Sequence, residues 1–265
     1  MNVWAVANQK GGVGKTTTTV SLAGLLSAKG YRTLMVDMDP HGSLTVYFGN
    51  DPDTIEMSVY SLFQTPNITA SDMPQRIIKS TDFENLDLMP ASTAMATLDR
   101  QLGSQDGKGL VLFRSLQQLA SMYDYVLIDC PPILGILMVN AMAACQSLLV
   151  PVQTEFLAIK GLERMMRTAT MIMRARKNSL GLHVIPTMFD RRTRASHDAL
   201  AQLKQDYPEQ LWDSVIPIDT QFREASRKGV PLPIMRASSR GSIAYRELLM
   251  WLITVYPVDS GAVTR

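Results

Sequence analysis

The sequence predicts an α/β fold: a mostly parallel, twisted sheet of about seven or eight strands with helices on both faces. Three observations carry that expectation. Short β-branched runs alternate along the chain with longer segments of helical period. Several runs, such as Val126-Leu127-Ile128, are apolar without alternation, as strands buried on both faces are. A glycine-rich loop separates the first such run from the first helical segment.

Taken in order, Asn2–Asn8 is the first strand and Thr16–Lys29 the first helix. Thr33–Asp37 is the second strand, and Asn50–Asp82 is the least regular stretch of the chain. Leu86–Pro90 reads as a strand, followed by helices over Thr93–Leu102 and Leu110–Met122. Tyr125–Asp129 is the most apolar strand, and an apolar helix containing Cys145 follows it. Ser147–Val152, Leu182–Met188 and Asp213–Pro217 are the remaining strands. Between and after them lie helices over Leu157–Arg176, Ala195–Gln205, Thr220–Arg227 and Ser242–Tyr256. Pro257 stops the last helix and opens a polar tail, residues 257–265. Without an internal repeat or a linker-like stretch, residues 1–265 are expected to form one domain.

Composition excludes more than it assigns. The chain of 265 residues is 46% hydrophobic, enough for one large core or two small ones. Formal net charge is only +2, but residues 1–150 hold nine Lys/Arg against thirteen Asp/Glu, and residues 151–265 hold seventeen against eleven. That polarity permits an anionic partner without demanding one. Cys130 and Cys145 are too few for a disulfide framework, lack zinc-site spacing and lie in apolar runs, so reduced, buried thiols are expected. Met1 leads straight into Val3–Ala7 with no leader pattern, and no apolar run reaches the length of a membrane span. A cytoplasmic protein without membrane insertion is the expectation.

The decisive segment is Lys10-Gly11-Gly12-Val13-Gly14-Lys15-Thr16-Thr17. The strict pattern G-x-x-x-x-G-K-[ST] wants glycine where Gln9 stands, but the chemistry survives that change. Glycines let backbone N–H groups turn inward around phosphates, and the following helix adds its positive end. Lys15 is placed to reach the β- and γ-phosphates of a bound nucleotide and the Thr16 hydroxyl to ligate Mg²⁺. Asp129 ends its strand as a carboxylate that orients Mg²⁺ through water, and Asp37 and Asp39 end another strand. Strand carboxyl ends line the ligand crevice of an open parallel sheet, so the three acids are expected to converge on the loop.

Together these boxes resemble the ParA/MinD family of P-loop ATPases. The first looks like that family's deviant Walker A box, with its early lysine. Val36-Asp37-Met38-Asp39-Pro40-His41-Gly42-Ser43 resembles the second box, usually Asp-x-Asp-Pro-Gln-Gly-Asn, and Leu127-Ile128-Asp129-Cys130-Pro131-Pro132 the Walker B stretch. Residues 150–162 and 187–193 match its later strand ends, so the resemblance runs from residue 2 to about residue 250. It implies ATP and Mg²⁺ as ligands and a homodimer in the ATP state, used to position or segregate cargo with slow, partner-regulated hydrolysis. Lys10 would reach the partner's ATP. Asp39 would position the attacking water beside the metal, and Asp37 would support the Mg²⁺ shell. Glu155 would touch the ribose across the interface, and Met188 with Pro217 would flank adenine. His41 and Ser43 replace the usual Gln and Asn. His41 reads as a hydrogen-bonding loop residue before a pH-sensitive one. Asp-Pro-His-Gly-Ser, with Trp4-Ala-Val-Ala-Asn-Gln, resembles the ParC subgroup, which places chemosensory arrays at the cell pole.

Weaker signals allow other readings. Arg191, Arg192, Arg194 and Arg223 resemble phosphate-contacting arginines of DNA-partition members, which act at the nucleoid; solvated charge is the alternative. Gln221 stands where those members carry one such arginine. The last helix reads as core packing and not as a membrane anchor. Iron proteins of the nitrogenase type share the loop but bridge an Fe–S cluster with exposed cysteines, a poor match to Cys130 and Cys145.

Overall fold

The computed structural model describes residues 1–102, 107–175 and 180–257. Arg176, at the end of the expected long helix, and residues 258–265 of the expected polar tail therefore lie outside the described residues. The strands are β1 (Asn2–Val6), β2 (Thr33–Asp37), β3 (Lys79–Ser80), β4 (Leu86–Met89), β5 (Tyr125–Asp129), β6 (Ser147–Gln153) and β7 (Gly181–Thr187). The helices are α1 (Lys15–Ala28), α2 (Ser43–Tyr47), α3 (Val59–Gln64), α4 (Met73–Arg76), α5 (Leu98–Leu102), α6 (Val111–Gln118), α7 (Ile136–Ala144), α8 (Phe156–Ala175), α9 (Arg194–Asp206), α10 (Gln221–Lys228), α11 (Leu232–Met235) and α12 (Arg240–Val255).

Among the described residues the sheet has seven strands in the order β3-β4-β2-β5-β1-β6-β7. Every pairing is parallel except the short edge pair of β3 with β4. Alternate residues of each central strand feed two separate cores. Val3, Ala5, Val126, Ile128, Leu148 and Val150 pack under α3, α6, α7, α8 and α9. Trp4, Val6, Tyr125, Leu127 and Leu149 pack under α1 and α12. Burial on both faces is why these strands read as unbroken apolar runs.

The expected strand Asp213–Pro217 does not form. That segment runs beside β7 but meets it only at two isolated bridges, Val184 with Leu211 and Phe189 with Pro217. Pro186 and Pro217 lack the N–H that a ladder needs, and the chain bulges between its bonds Trp212 N to Val184 O and Ile216 N to Pro186 O. The expected helix Thr93–Leu102 begins as a 3₁₀ turn over Thr93–Thr97, and the helix expected at Leu110–Met122 shortens to α6. The irregular stretch Asn50–Asp82 contains α3, α4 and the edge strand β3.

Candidate functional site

Sheet register builds the site. Asp129 at the end of β5 pairs with Val6 of β1 on one side and with Asp37 of β2 on the other. Two carboxylates and the start of the glycine loop therefore stand side by side at the carboxyl edge of the sheet. Burial raises Asp37 to about 7, against the pull of its bonds from Thr45 and the Asp39 N–H. Asp129 is raised well above the ordinary carboxylate range, by burial first and then by the charge of Asp37.

The loop is shaped by its glycines and pinned from beneath. Gly12 and Gly14 have φ of 75° and 95°, a region closed to most side chains, and Gly14 caps the N-terminus of α1. Buried Asn8 accepts from the Lys10 N–H at 2.9 Å and donates to the Pro151 carbonyl at 2.8 Å. Thr187 donates to the Val13 carbonyl at 2.9 Å, tying β7 to the loop. Gln9, which stands where the strict motif has glycine, donates to Thr168 of α8 at 3.1 Å. Lys15 is nearly buried, its Nζ 3.5 Å from the Lys10 carbonyl.

Thr16 donates to Asp129 Oδ2 at 2.6 Å, whereas Asp129 Oδ1 is buried with no protein partner. An oxygen-only pair with one open, shielded carboxylate oxygen suits a hard cation such as Mg²⁺. No group of three or more His, Cys, Asp or Glu that could hold a metal by themselves occurs among the described residues. Asp37 is held by three bonds of its own. Its Oδ2 accepts from the Thr45 N–H and hydroxyl at 2.8 and 2.7 Å, and its Oδ1 from the Asp39 N–H at 3.1 Å, so it braces the loop into α2. Asp39 Oδ1 lies 3.0 Å from the His41 N–H and 2.9 Å from His41 Nδ1, so the residue that departs from the usual Gln engages the expected water-positioning acid.

Lys10 forms an ion pair with Glu155 at the entrance to α8, so two residues expected to act across an interface partner each other within the chain. Met188 and Pro217 line one cavity of about 520 Å³ together with Gly14, Thr16 and Thr17. Met188 has a φ of 53°, an uncommon backbone for methionine, where the chain leaves β7. Sequence reasoning missed Asn8, Thr45, Thr187 and Tyr245, whose roles depend on distant partners. Arg223, grouped there with the surface arginines, is exposed and also lines this cavity. Arg192 and Asp190 form an exposed pair at 2.8 Å that holds Asp190 at about 2, and Arg194 lies 3.4 Å from Asp198. Cys130 and Cys145 are fully buried, so neither can reach a cluster on a shared surface axis. No helix among the described residues is long and apolar enough to cross a membrane.

Comparison with known proteins gives a consistent result. Residues 1–182 match the family model described as AAA domain. The sporulation initiation inhibitor protein Soj of Bacillus subtilis is 36% identical over 245 residues, covering 92% of this chain and 95% of Soj. The chromosome partitioning protein ParA of Myxococcus xanthus is 33% identical over 245 residues, covering 92% and 84%. Among solved structures, cobyrinic acid a,c-diamide synthase from Mycobacterium smegmatis with bound ATP analogue and magnesium is 35% identical. It superposes with a TM-score of 0.81 over 96% of this chain and 94% of that one.

Proposed function

Because the chain belongs to the ParA/MinD family of P-loop ATPases, we propose that it is a Mg·ATP-dependent, dimerising ATPase that positions or segregates intracellular cargo. The observation that carries this reading is the Thr16–Asp129 bond beneath the glycine loop, with the other Asp129 carboxylate oxygen buried without a hydrogen-bond partner. The N–H groups from Gly11 to Thr17 cradle the phosphates, Val13 among them, and Lys15 reaches the β- and γ-phosphates. Thr16 and Asp129 are the residues that hold Mg²⁺, beside Asp39. When bound, that ion neutralises charge developing on the phosphates. Asp39 orients the attacking water, held by its contacts to His41, while Asp37 keeps the loop in place. Met188 and Pro217 flank adenine.

Dimerisation follows from charge. Two facing nucleotides need cations supplied in trans, and Lys10 is that cation. It must first leave Glu155, which then turns to the ribose of the partner's nucleotide. Both side chains are roughly a third exposed, and such a pair contributes only about 0–1 kcal/mol. Hydrolysis removes the charges that hold the dimer, so the ATPase works as a slow timer that a cargo-side partner accelerates.

The cargo reading is a chemosensory protein array held at the cell pole. It rests on Asp39-Pro40-His41-Gly42-Ser43 and on the Trp4 segment. DNA partition at the nucleoid is the second reading, favoured by the likeness to Soj and ParA and by Arg191, which has no ion pair among the described residues. The test is molar mass by light scattering with ADP and with Mg·ATP, followed by retention on DNA at two salt concentrations. A dimer seen only with ATP, trapped by Asp39→Ala and lost in Lys15→Gln, is the expected result. ATP-dependent retention that collapses with salt selects the DNA reading. A mass unchanged by ATP overturns the switch and leaves a P-loop enzyme acting on a small substrate.

A further inference from the structure

We infer that Arg223 is a nucleotide-binding residue, a guanidinium that α10 presents to the phosphate chain in the cavity it shares with the start of α1. The inference rests on the ATP-site reading and extends it to a residue outside all the loop motifs. Arg223 lines this cavity together with Phe222 and Ser226 of α10 and with Gly14, Thr16 and Thr17 at the start of α1. The other charges of α10 are spoken for: Glu224 lies 2.9 Å from Arg227 and 3.4 Å from Lys228. Arg223 makes no ion pair among the described residues. The acid among the residues lining the cavity, Asp219, accepts from the Gln221 N–H and the Gly241 N–H, both at 3.0 Å. What faces the cavity from α10 is an uncompensated cation.

The helix that carries it is anchored to the glycine loop's own helix. Phe222 meets Tyr245 edge to face at 5.7 Å, and the Tyr245 hydroxyl lies 2.8 Å from Thr18 Oγ1 in α1. Arg223 therefore keeps its place relative to the phosphates while α1 and α12 stay packed. A planar guanidinium with five donors matches a phosphate edge with two parallel bonds, which a lysine ammonium cannot reproduce.

The experiment is calorimetric binding of Mg·ADP, which avoids dimer formation, to wild type, Arg223→Ala, Arg223→Lys and Arg227→Ala. Arg223→Ala should weaken binding by about tenfold, Arg223→Lys should recover part of the loss, and Arg227→Ala should bind as wild type. Adenosine, which has no phosphate, should compete equally with labelled ADP on wild type and Arg223→Ala once each is scaled to its own ADP affinity. Unchanged ADP affinity in Arg223→Ala overturns the inference. So does a variant that keeps ADP and loses only retention on DNA, because Arg223 would then serve a surface contact. Wild type that binds no nucleotide overturns the ATP-site reading itself, an outcome distinct from either.

Discussion

Asp129 holds a full carboxylate where solvent cannot reach it, with one oxygen on Thr16 and the other on nothing. A charge so placed destabilises the fold unless it is protonated or paired with a cation. The folded state raises this carboxyl and Asp37 above their unfolded values, so it holds extra protons between the ordinary carboxylate range and the raised value. Their contribution to stability is thus present in acid and is lost as pH rises through the folded values, about 7 for Asp37. The thermal midpoint without nucleotide should fall from pH 6.5 to pH 8. Asp129→Asn keeps the acceptor for Thr16 and deletes the charge, so it should raise that midpoint at pH 8 and flatten the decline. The same variant should weaken Mg·ADP binding by at least about tenfold, since it alters a carboxylate proposed to hold the ion. A variant as pH-sensitive as wild type would falsify this account of Asp129. By the same logic the part-exposed Lys10–Glu155 pair holds little energy, and Glu155→Gln should shift unfolding in urea by less than about 1 kcal/mol.

At the scale of elements, α1 is placed by contacts that sequence alone does not reveal. Gly24 lies inside α1 where alanine is ordinarily better by about 1 kcal/mol. A Cβ there would meet Pro231 Cβ at 2.6 Å, at the approach to α11. Overpacking of that kind costs about 1–3 kcal/mol, so Gly24→Ala should lower unfolding free energy in urea, against the trend of helix propensity. At the other end of the sheet, His183 of β7 packs edge to face on Trp251 of α12 at 4.8 Å, with its Nε2 2.7 Å from the Tyr256 hydroxyl. Burial lowers this imidazole to about 4. The unfolded chain takes up the proton first, so the contribution is present above pH 6.5 and lost as pH falls towards 4. His183→Gln should flatten the loss of stability between those pH values, read by thermal melts. The local chemistry of α1, β2 and β5 was legible because strand-end acids and a glycine loop are contiguous words in the chain. The edge strand β3, the bulge at Asp213–Pro217 and the joint made by Thr18, Phe222 and Tyr245 were not. The bulge depends on two prolines and the joint on side chains more than twenty residues apart, and β3, two exposed residues long, is too short to carry a strand pattern.

Across the whole molecule the strand order converts a sequence asymmetry into a spatial one. The acidic half of the chain supplies β3, β4 and β2 at one edge, and the basic half supplies β7 at the other, with β6 spanning the boundary between the halves. The cavity and the glycine loop lie at the carboxyl edge between them, and that edge also carries exposed apolar side chains. Phe156 and Leu157, the first residues of α8 after Glu155, are 63% and 69% exposed, and Ile133 and Leu134 after Asp129-Cys-Pro-Pro are 66% and 50% exposed. Composition could not announce these side chains, because the loop after β5 and the start of α8 after β6 reach one end of the sheet only through the register of β5, β1 and β6. Side chains so exposed next to the cation proposed to act in trans are suited to be covered when two chains close around ATP. Each apolar side chain buried there contributes about 1.5–3 kcal/mol, larger than the cost of parting Lys10 from Glu155. Phe156→Ser combined with Leu157→Ser should therefore leave Mg·ADP affinity unchanged and keep the chain monomeric in Mg·ATP, even in the Asp39→Ala background. Ile243→Ser, an exposed apolar change on α12, should dimerise like its parent. Light scattering on the four proteins decides the matter. If the double variant dimerises with wild-type affinity, the closing face lies elsewhere and Lys10 is a residue of its own chain's site.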